Sequence, residues 1–513
     1  MTFEQRYRLS RRSMFWRAAA ASGLGAIFKM TEGPAGAQEP AGRGAGQAAG
    51  QAAGQPAGRG AGRGGGGGMG GFGGGGRGAP VHYGPINKYS SPSDLRITDM
   101  RAVTVAANYD YNMIRLDTNQ GVYGLGEVRD AGSKVTALML KPYVVGSSPL
   151  DITNILRRIR HFSWHGRQGG GYSAVDLALH DIVGKVYGVP VYRLLGDKKR
   201  DRVRMYCDTT EAKDPKIYGQ RMADRKKAGF TFFKMDLRTQ QMVGDIPGAV
   251  DTRGVATDKG MKLLCEYIAA VRDVIGYEPP LAADHFGNLD LEDSIRYARA
   301  FEPYHLAWAE DILQVNTLNT GDAPLNWHAY KRIKESTVTP LAMGESLFGL
   351  EEGFKPFLDN DAISIIHPDP GTSGQCRETK RIGDYANEHG VPVALHMAGS
   401  PLGTMGGVHI ACTLESFLAM ECHAVDFMSW WQELVTGVPK PFIKDGYITV
   451  PDTPGLGIEL NEQVIKEHLR YPGYFEPTTD WDKVTVMPPG AFGGRGWPHF
   501  NQFGEWVIDE SDR

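Results

Sequence analysis

Six polar residues follow short apolar runs in the second half of the 513-residue chain: Asp284, Glu310, Glu345, Asp369, His396 and Glu421. Their spacings of 26, 35, 24, 27 and 25 residues match the length of one strand-plus-helix unit. Taken singly, any one of these carboxylates reads as a loop residue or a helix cap. In register they read differently, because converging carboxylates repel one another unless a cation lies among them. Ala283-Asp284, Ala309-Glu310 and Gly344-Glu345 therefore suggest a hard oxygen-ligand set suited to Mg²⁺.

The elements that must carry them form an alternating series. Apolar runs at 203–207, 230–235, 281–283, 306–309, 340–343, 363–366 and 391–395 alternate with amphipathic helical stretches, the pattern of βαβ units and a parallel sheet. Seven or eight such units favour a closed barrel, whose strand ends face one shared pocket. Before them, 97–128 reads as strands joined by turns, and 133–195 as helical, giving an α+β domain. Gly169-Gly170-Gly171 lacks the Gly-Lys-Ser/Thr of a phosphate loop and is expected to be a flexible loop. The long interval between Asp236 and Asp284 makes 240–259 a candidate lid.

The composition narrows the partners. A net charge of −3 lacks the basic footprint of a nucleic-acid binder, so no nucleic-acid partner is expected. The five cysteines, Cys207, Cys265, Cys376, Cys412 and Cys422, have no CxxC spacing and read as small apolar residues. Arg11-Arg12, an apolar run from Trp16 to Phe28 and Ala35-Gly36-Ala37 resemble a twin-arginine signal over 1–37, which predicts export to the periplasm. No apolar stretch reaches the length of a membrane span, so no stable insertion is expected after signal removal. The Gly/Ala-rich stretch 38–92 reads as a linker.

Between Ile97 and Leu469 the chain resembles the mandelate racemase subgroup of the enolase superfamily. The resemblance rests on Ala178-Leu179-His180-Asp181-Ile182-Val183-Gly184-Lys185, Arg193-Leu194-Leu195-Gly196, Phe233-Lys234-Met235-Asp236, and Thr339-Pro340-Leu341-Ala342-Met343-Gly344-Glu345. Pro368-Asp369 with Gly374, His396, and Pro451-Asp452-Thr453-Pro454-Gly455-Leu456-Gly457 complete it. It implies an α/β fold in which a (β/α)7β TIM-like barrel over 201–440 carries an α+β capping domain over 93–200. A segment over 441–470 would return to the cap, followed by an extension over 471–513.

The resemblance also implies roles. Asp284, Glu310 and Glu345 would hold Mg²⁺, Asp369 and His396 would form a dyad, and Glu421 would hydrogen-bond a substrate carboxylate. Where racemases of the subgroup carry Lys-x-Lys, this chain has Lys234-Met235-Asp236, similar to sugar-acid dehydratases and suited to one-base chemistry. Lys234 would neutralise a substrate carboxylate or pair with Asp236. His285 resembles a histidine that some of these dehydratases use as acid near the first metal ligand, with a structural role as the alternative. The activity implied is dehydration of an aldonic or aldaric acid to a 2-keto-3-deoxy acid. Racemisation or epimerisation, or sugar-acid binding without turnover, are the alternatives. The partner would be a small carboxylate, with specificity in cap loops near 108–112 and 161–167. The assembly is expected to be a homo-oligomer.

Overall fold

The computed structural model describes residues 92–166, 170–313, 325–423 and 428–483, and the backbone of 499–500 and 506–507. The expected signal peptide and linker lie outside the described residues.

The cap is an antiparallel meander of β1 (Ile97–Ala106), β2 (Asp110–Thr118) and β3 (Tyr123–Val128), covered by the helix Gly170–Tyr187. That helix is buried on nearly all sides, so its polar residues Asp176, His180 and Asp181 are buried with the apolar ones and must find partners inside the protein. It approaches β3 so closely that a Cβ at Gly124 or Gly126 would meet the carbonyl of Ala178 or Ala174 at 2.0 Å. Asp181 ties the layers together by accepting from Leu125 N, Leu456 N and Lys185 Nζ. Gly170 and Gly171 correct the loop expectation. They form the first turn of this helix, where side chains would strike the backbone of Arg129 and Thr136.

Eight parallel strands close the barrel: β4 (Arg202–Thr209), β5 (Phe233–Asp236), β6 (Leu281–Asp284), β7 (Ala309–Glu310), β8 (Leu341–Met343), β9 (Ile365–Ile366), β10 (Val393–Leu395) and β11 (Phe417–Cys422). Closure comes from β11 pairing with β4, with Glu421 opposite Tyr206 and Cys422 opposite Cys207. The interior holds Tyr206, Phe232, Ala282, Trp308, Ala342, Ile365, Ala394 and Ala419 in one buried cluster. Because side chains alternate along a strand, the residue two positions on from each of these also faces inward, one layer nearer the mouth. That layer is Asp208, Lys234, Asp284, Glu310, Gly344, His367, His396 and Glu421.

The segment after Lys440 serves both bodies. Tyr447–Thr449 pairs antiparallel with the start of β4, while Leu469 bridges Val105 of the cap sheet and Arg470 N donates to Thr104 O. The following residues pack on the same chain's cap, where Thr478 Oγ1 donates to Met100 O and Lys141 Nζ to Thr478 O. The stretch 240–259 is anchored rather than free. Val243, Ala249, Val255 and Ala256 are buried, and Ala256 N donates to Tyr297 Oη at 2.8 Å. All the cysteines but Cys265 are buried. Among the described residues no helix is long and apolar enough to cross a membrane.

Candidate active site

The barrel mouth gathers every residue singled out in the sequence. Lys234 on β5 is buried, with Nζ 2.8 Å from Glu421 Oε1, 3.0 Å from Glu310 Oε1 and 3.4 Å from Asp284 Oδ2. Burial disfavours its ammonium, but the Glu310 and Glu421 carboxylates hold its pKa well above the ordinary lysine value. The expected alternative pairing of Lys234 with Asp236 is not what forms. Asp236 lies one inward position nearer the mouth and receives Arg238 Nη2 at 2.8 Å.

Asp284, Glu310 and Glu345 come from three successive strands, β6, β7 and the turn after β8. Burial, then the Glu310 charge, pushes the Asp284 carboxyl well above its usual range, with Asp236 and Glu345 adding to the repulsion. Burial works the same way on Glu310, but His367 and Lys234 outweigh it and hold that carboxyl well below. Trp308 Nε1 donates to Glu310 Oε2 at 2.8 Å, and His367 Nδ1 stands 3.2 Å from Oε1. Asp311, beside Glu310, has a buried Oδ1 with no hydrogen-bond partner. An all-oxygen donor set with this excess of buried negative charge fits a hard divalent cation. Asp284, Glu345, Asp311 and His285 line a cleft of ≈ 370 Å³, together with Arg238 and Ser346.

Opposite Lys234, Asp369 and His396 stand at the ends of β9 and β10. His396 Nδ1 lies 2.6 Å from Asp369 Oδ2, and its Nε2 lies 2.8 Å from Glu345 Oε2 and 3.6 Å from Glu421 Oε2. Burial works against the imidazolium, but Glu345 and Glu421 raise the His396 pKa above the ordinary histidine value. His285 is half-exposed in the cleft, with Nε2 3.5 Å from Asp284 Oδ2 and 3.8 Å from Asp236 Oδ2. Burial, then the positive charges of Arg238 and Lys234, lowers its pKa, so a neutral imidazole faces the cleft at neutral pH.

The sequence reading missed several residues of this site. Arg129, just past β3 of the cap, is buried with Nη1 against Asp369 Oδ2 and 2.8 Å from His396 Nδ1. Its only signal was a charged pair, Arg129-Asp130, directly after an apolar strand. His367, held by Tyr206 Oη at 2.7 Å, and Asp208 were marked by strand alternation alone. Both sit two positions past an apolar inward residue.

Residues 218–464 match the enolase C-terminal domain-like family, and residues 92–196 match the mandelate racemase/muconate lactonizing enzyme N-terminal domain. The chain is 31% identical over 395 residues to the D-xylonate dehydratase of Haloferax volcanii, covering 73% of this chain and 89% of that one. A mandelate racemase/muconate lactonizing enzyme-like protein from Rubrobacter xylanophilus has a solved structure that superposes with a TM-score of 0.66 at 28% identity. That match covers 74% of this chain and 99% of the other. An enolase from Pantoea ananatis, solved with bound D-gluconate and Mg, gives a TM-score of 0.63 at 25% identity over 74% of this chain and 96% of its own. The chain belongs to the mandelate racemase/muconate lactonizing enzyme family of the enolase superfamily. The expected hydro-lyase class and the capped TIM barrel agree with these relatives.

Proposed function

We propose that the protein is an exported, Mg²⁺-dependent dehydratase of sugar acids, converting an aldonic or aldaric acid to its 2-keto-3-deoxy acid. The observation that carries this reading is the asymmetry of the mouth. An imidazole paired with a carboxylate stands on one side. On the other, the only lysine of the Lys-x-Asp segment is fixed as a cation among Glu310, Glu421 and Asp284. A lysine so engaged belongs to the floor of the mouth, which supports proton removal from the His396 face and argues for elimination over epimerisation.

A proton α to a carboxylate leaves only if the resulting enediolate is stabilised. Mg²⁺ held by Asp284, Glu310 and Glu345 would supply that charge neutralisation. His396 removes the α-proton at Nε2, with Asp369 on Nδ1 fixing the tautomer and orientation of the ring. Collapse of the enediolate expels the β-hydroxyl as water once an acid protonates it. His396, which has taken up the α-proton at Nε2, delivers it, and the neutral His285 on the cleft wall is left to hydrogen-bond the substrate. The resulting enol then tautomerises to the 2-keto acid. Lys234 and Glu421 form the floor against which the substrate carboxylate is oriented.

A relative named as a D-xylonate dehydratase, another named as a D-galactonate dehydratase family member, and the neighbour solved with D-gluconate and Mg support a sugar acid as substrate. Export is supported by the Arg11-Arg12 motif and the apolar run after it. The test is to incubate purified protein and Mg²⁺ with aldonic, aldaric and uronic acids and to detect 2-keto products. A 2-keto acid from one stereochemical series is expected. Silence across the panel with metal demonstrably bound would reject dehydration.

A further inference from the structure

Two ionisable residues at the barrel mouth take no part in the chemistry above. Asp208 ends the inward face of β4 and stands opposite Lys234 in the β4–β5 register. His423 follows the Cys422–Cys207 pair at the β11–β4 seam, and its Nε2 lies 2.8 Å from Asp208 Oδ2. The turn between β1 and β2 of the cap reaches the same place. Asn108 Nδ2 is 3.4 Å from His423 Nδ1, and the Tyr109 ring centroid is 5.6 Å from that of the imidazole. The seam where the barrel closes is thus also where the cap meets it.

The second oxygen of Asp208 is the informative atom. Asp208 is 8% exposed, and its Oδ1 is buried without a hydrogen-bond partner. A buried carboxylate oxygen with no donor is costly, and one in the inward layer beside Lys234 and Glu421 gains by receiving a hydroxyl. Lys234 and Glu421, the floor assigned to the substrate carboxylate, lie on neighbouring strands of the same inward layer.

We propose that Asp208, His423 and Asn108 form a subsite for a hydroxyl on the far end of the substrate's carbon chain, with Asp208 Oδ1 as its acceptor. The proposal rests on the sugar-acid reading and narrows it. A second carboxylate at that end would meet the Asp208 carboxylate and be repelled, so the subsite selects aldonic over aldaric acids.

The experiment is calorimetric binding in the presence of Mg²⁺, with the His396→Asn protein so that ligand is not consumed. The probes are a panel of five- and six-carbon aldonates including D-gluconate, the three-carbon glycerate, and the dicarboxylate glucarate. At least one aldonate is expected to bind ten-fold or more tighter than glycerate and than glucarate. Adding Asp208→Asn, which keeps an oxygen for His423 but replaces the free acceptor with an amide, should weaken that aldonate about ten- to a hundred-fold. Glycerate should be unchanged, and the penalty against glucarate should shrink. Asn108→Ala, on the cap side only, should weaken the aldonate less and in the same selective way. Parallel weakening of aldonate and glycerate, or no change in either, would overturn the subsite. If aldonate binding depends on Asp208 while wild-type protein forms no 2-keto acid, dehydration fails and the subsite stands. If no sugar acid binds at all, both fail.

Discussion

Asp369 Oδ2 lies 2.6 Å from His396 Nδ1, and the same carboxylate is pinned from two further directions. Its Oδ1 caps the short helix Pro370–Ser373 by accepting from Thr372 N at 3.1 Å, and Arg129 of the cap contacts Oδ2. The imidazole is therefore oriented by a carboxylate that has little freedom to turn. Replacing His396 with Asn should abolish turnover, by about 10²–10⁴-fold or more, while metal binding and melting temperature stay near those of the wild type. Steady-state kinetics beside Mn²⁺ binding would check this. Retained turnover would remove His396 from proton transfer.

Lys234 lies among Glu310, Glu421 and Asp284. Lys234→Met should leave those carboxylates without their counter-ion and destabilise the fold by about 3–5 kcal/mol. Because a divalent cation would answer the same charge, saturating Mg²⁺ should raise the melting temperature of Lys234→Met more than that of the wild type. Equal shifts would mean the cation and the ammonium answer different charges.

Mg²⁺ should stabilise the wild type and chelator should reverse the effect, since a ligand bound only to the folded state contributes about 2.7 kcal/mol at a hundred times its Kd. Glu345→Gln should lose most of that increment. Thermal melts across a Mg²⁺ series measure it, and an unchanged increment would move the metal site away from Glu345.

Glu127 at the end of β3 is buried against the helix Pro401–Ala411, accepting from Ser400 N at 2.8 Å and from Gly403 N at 3.1 Å. Burial outweighs these donors and lifts its pKa from 4.5 to about 7. Between those values the folded chain holds a proton that the unfolded chain has released. Stability from this group is therefore present below about pH 4.5 and falls as pH rises towards 7, by roughly 3 kcal/mol in all. Glu127→Gln should flatten that slope in denaturant melts from pH 5 to 7.5. A slope unaffected by the substitution would assign it to other groups.

Much of this site was legible because a strand places its chemistry at a predictable end. Asp284, Glu310, His396 and Glu421 each lie at or near the end of an apolar run, and runs of that kind spaced by one βα unit belong to one barrel mouth. What stayed hidden had another cause. Arg129 reaches the dyad from a different domain, roughly 240 positions before Asp369 in the chain, and no local pattern encodes that approach. Asp208 and His367 were readable only from which side of each strand faces inward: for His367 the two-residue β9 gives almost no alternation to read, and for Asp208 the eight-residue β4 alternates but does not itself say which face is the interior. Gly170 and Gly171 read as a loop because their reason lies in the partner backbone they touch rather than in their own sequence.

The most direct test of the central claim is to run the wild-type reaction on the preferred sugar acid in D₂O with Mg²⁺ and follow both substrate and product by NMR. Proton removal on one face followed by loss of the β-hydroxyl predicts a 2-keto-3-deoxy acid carrying deuterium at C3, absent with His396→Asn, and unreacted substrate of unchanged configuration. Recovered substrate epimerised and deuterated at C2, with no keto acid formed, would contradict the account.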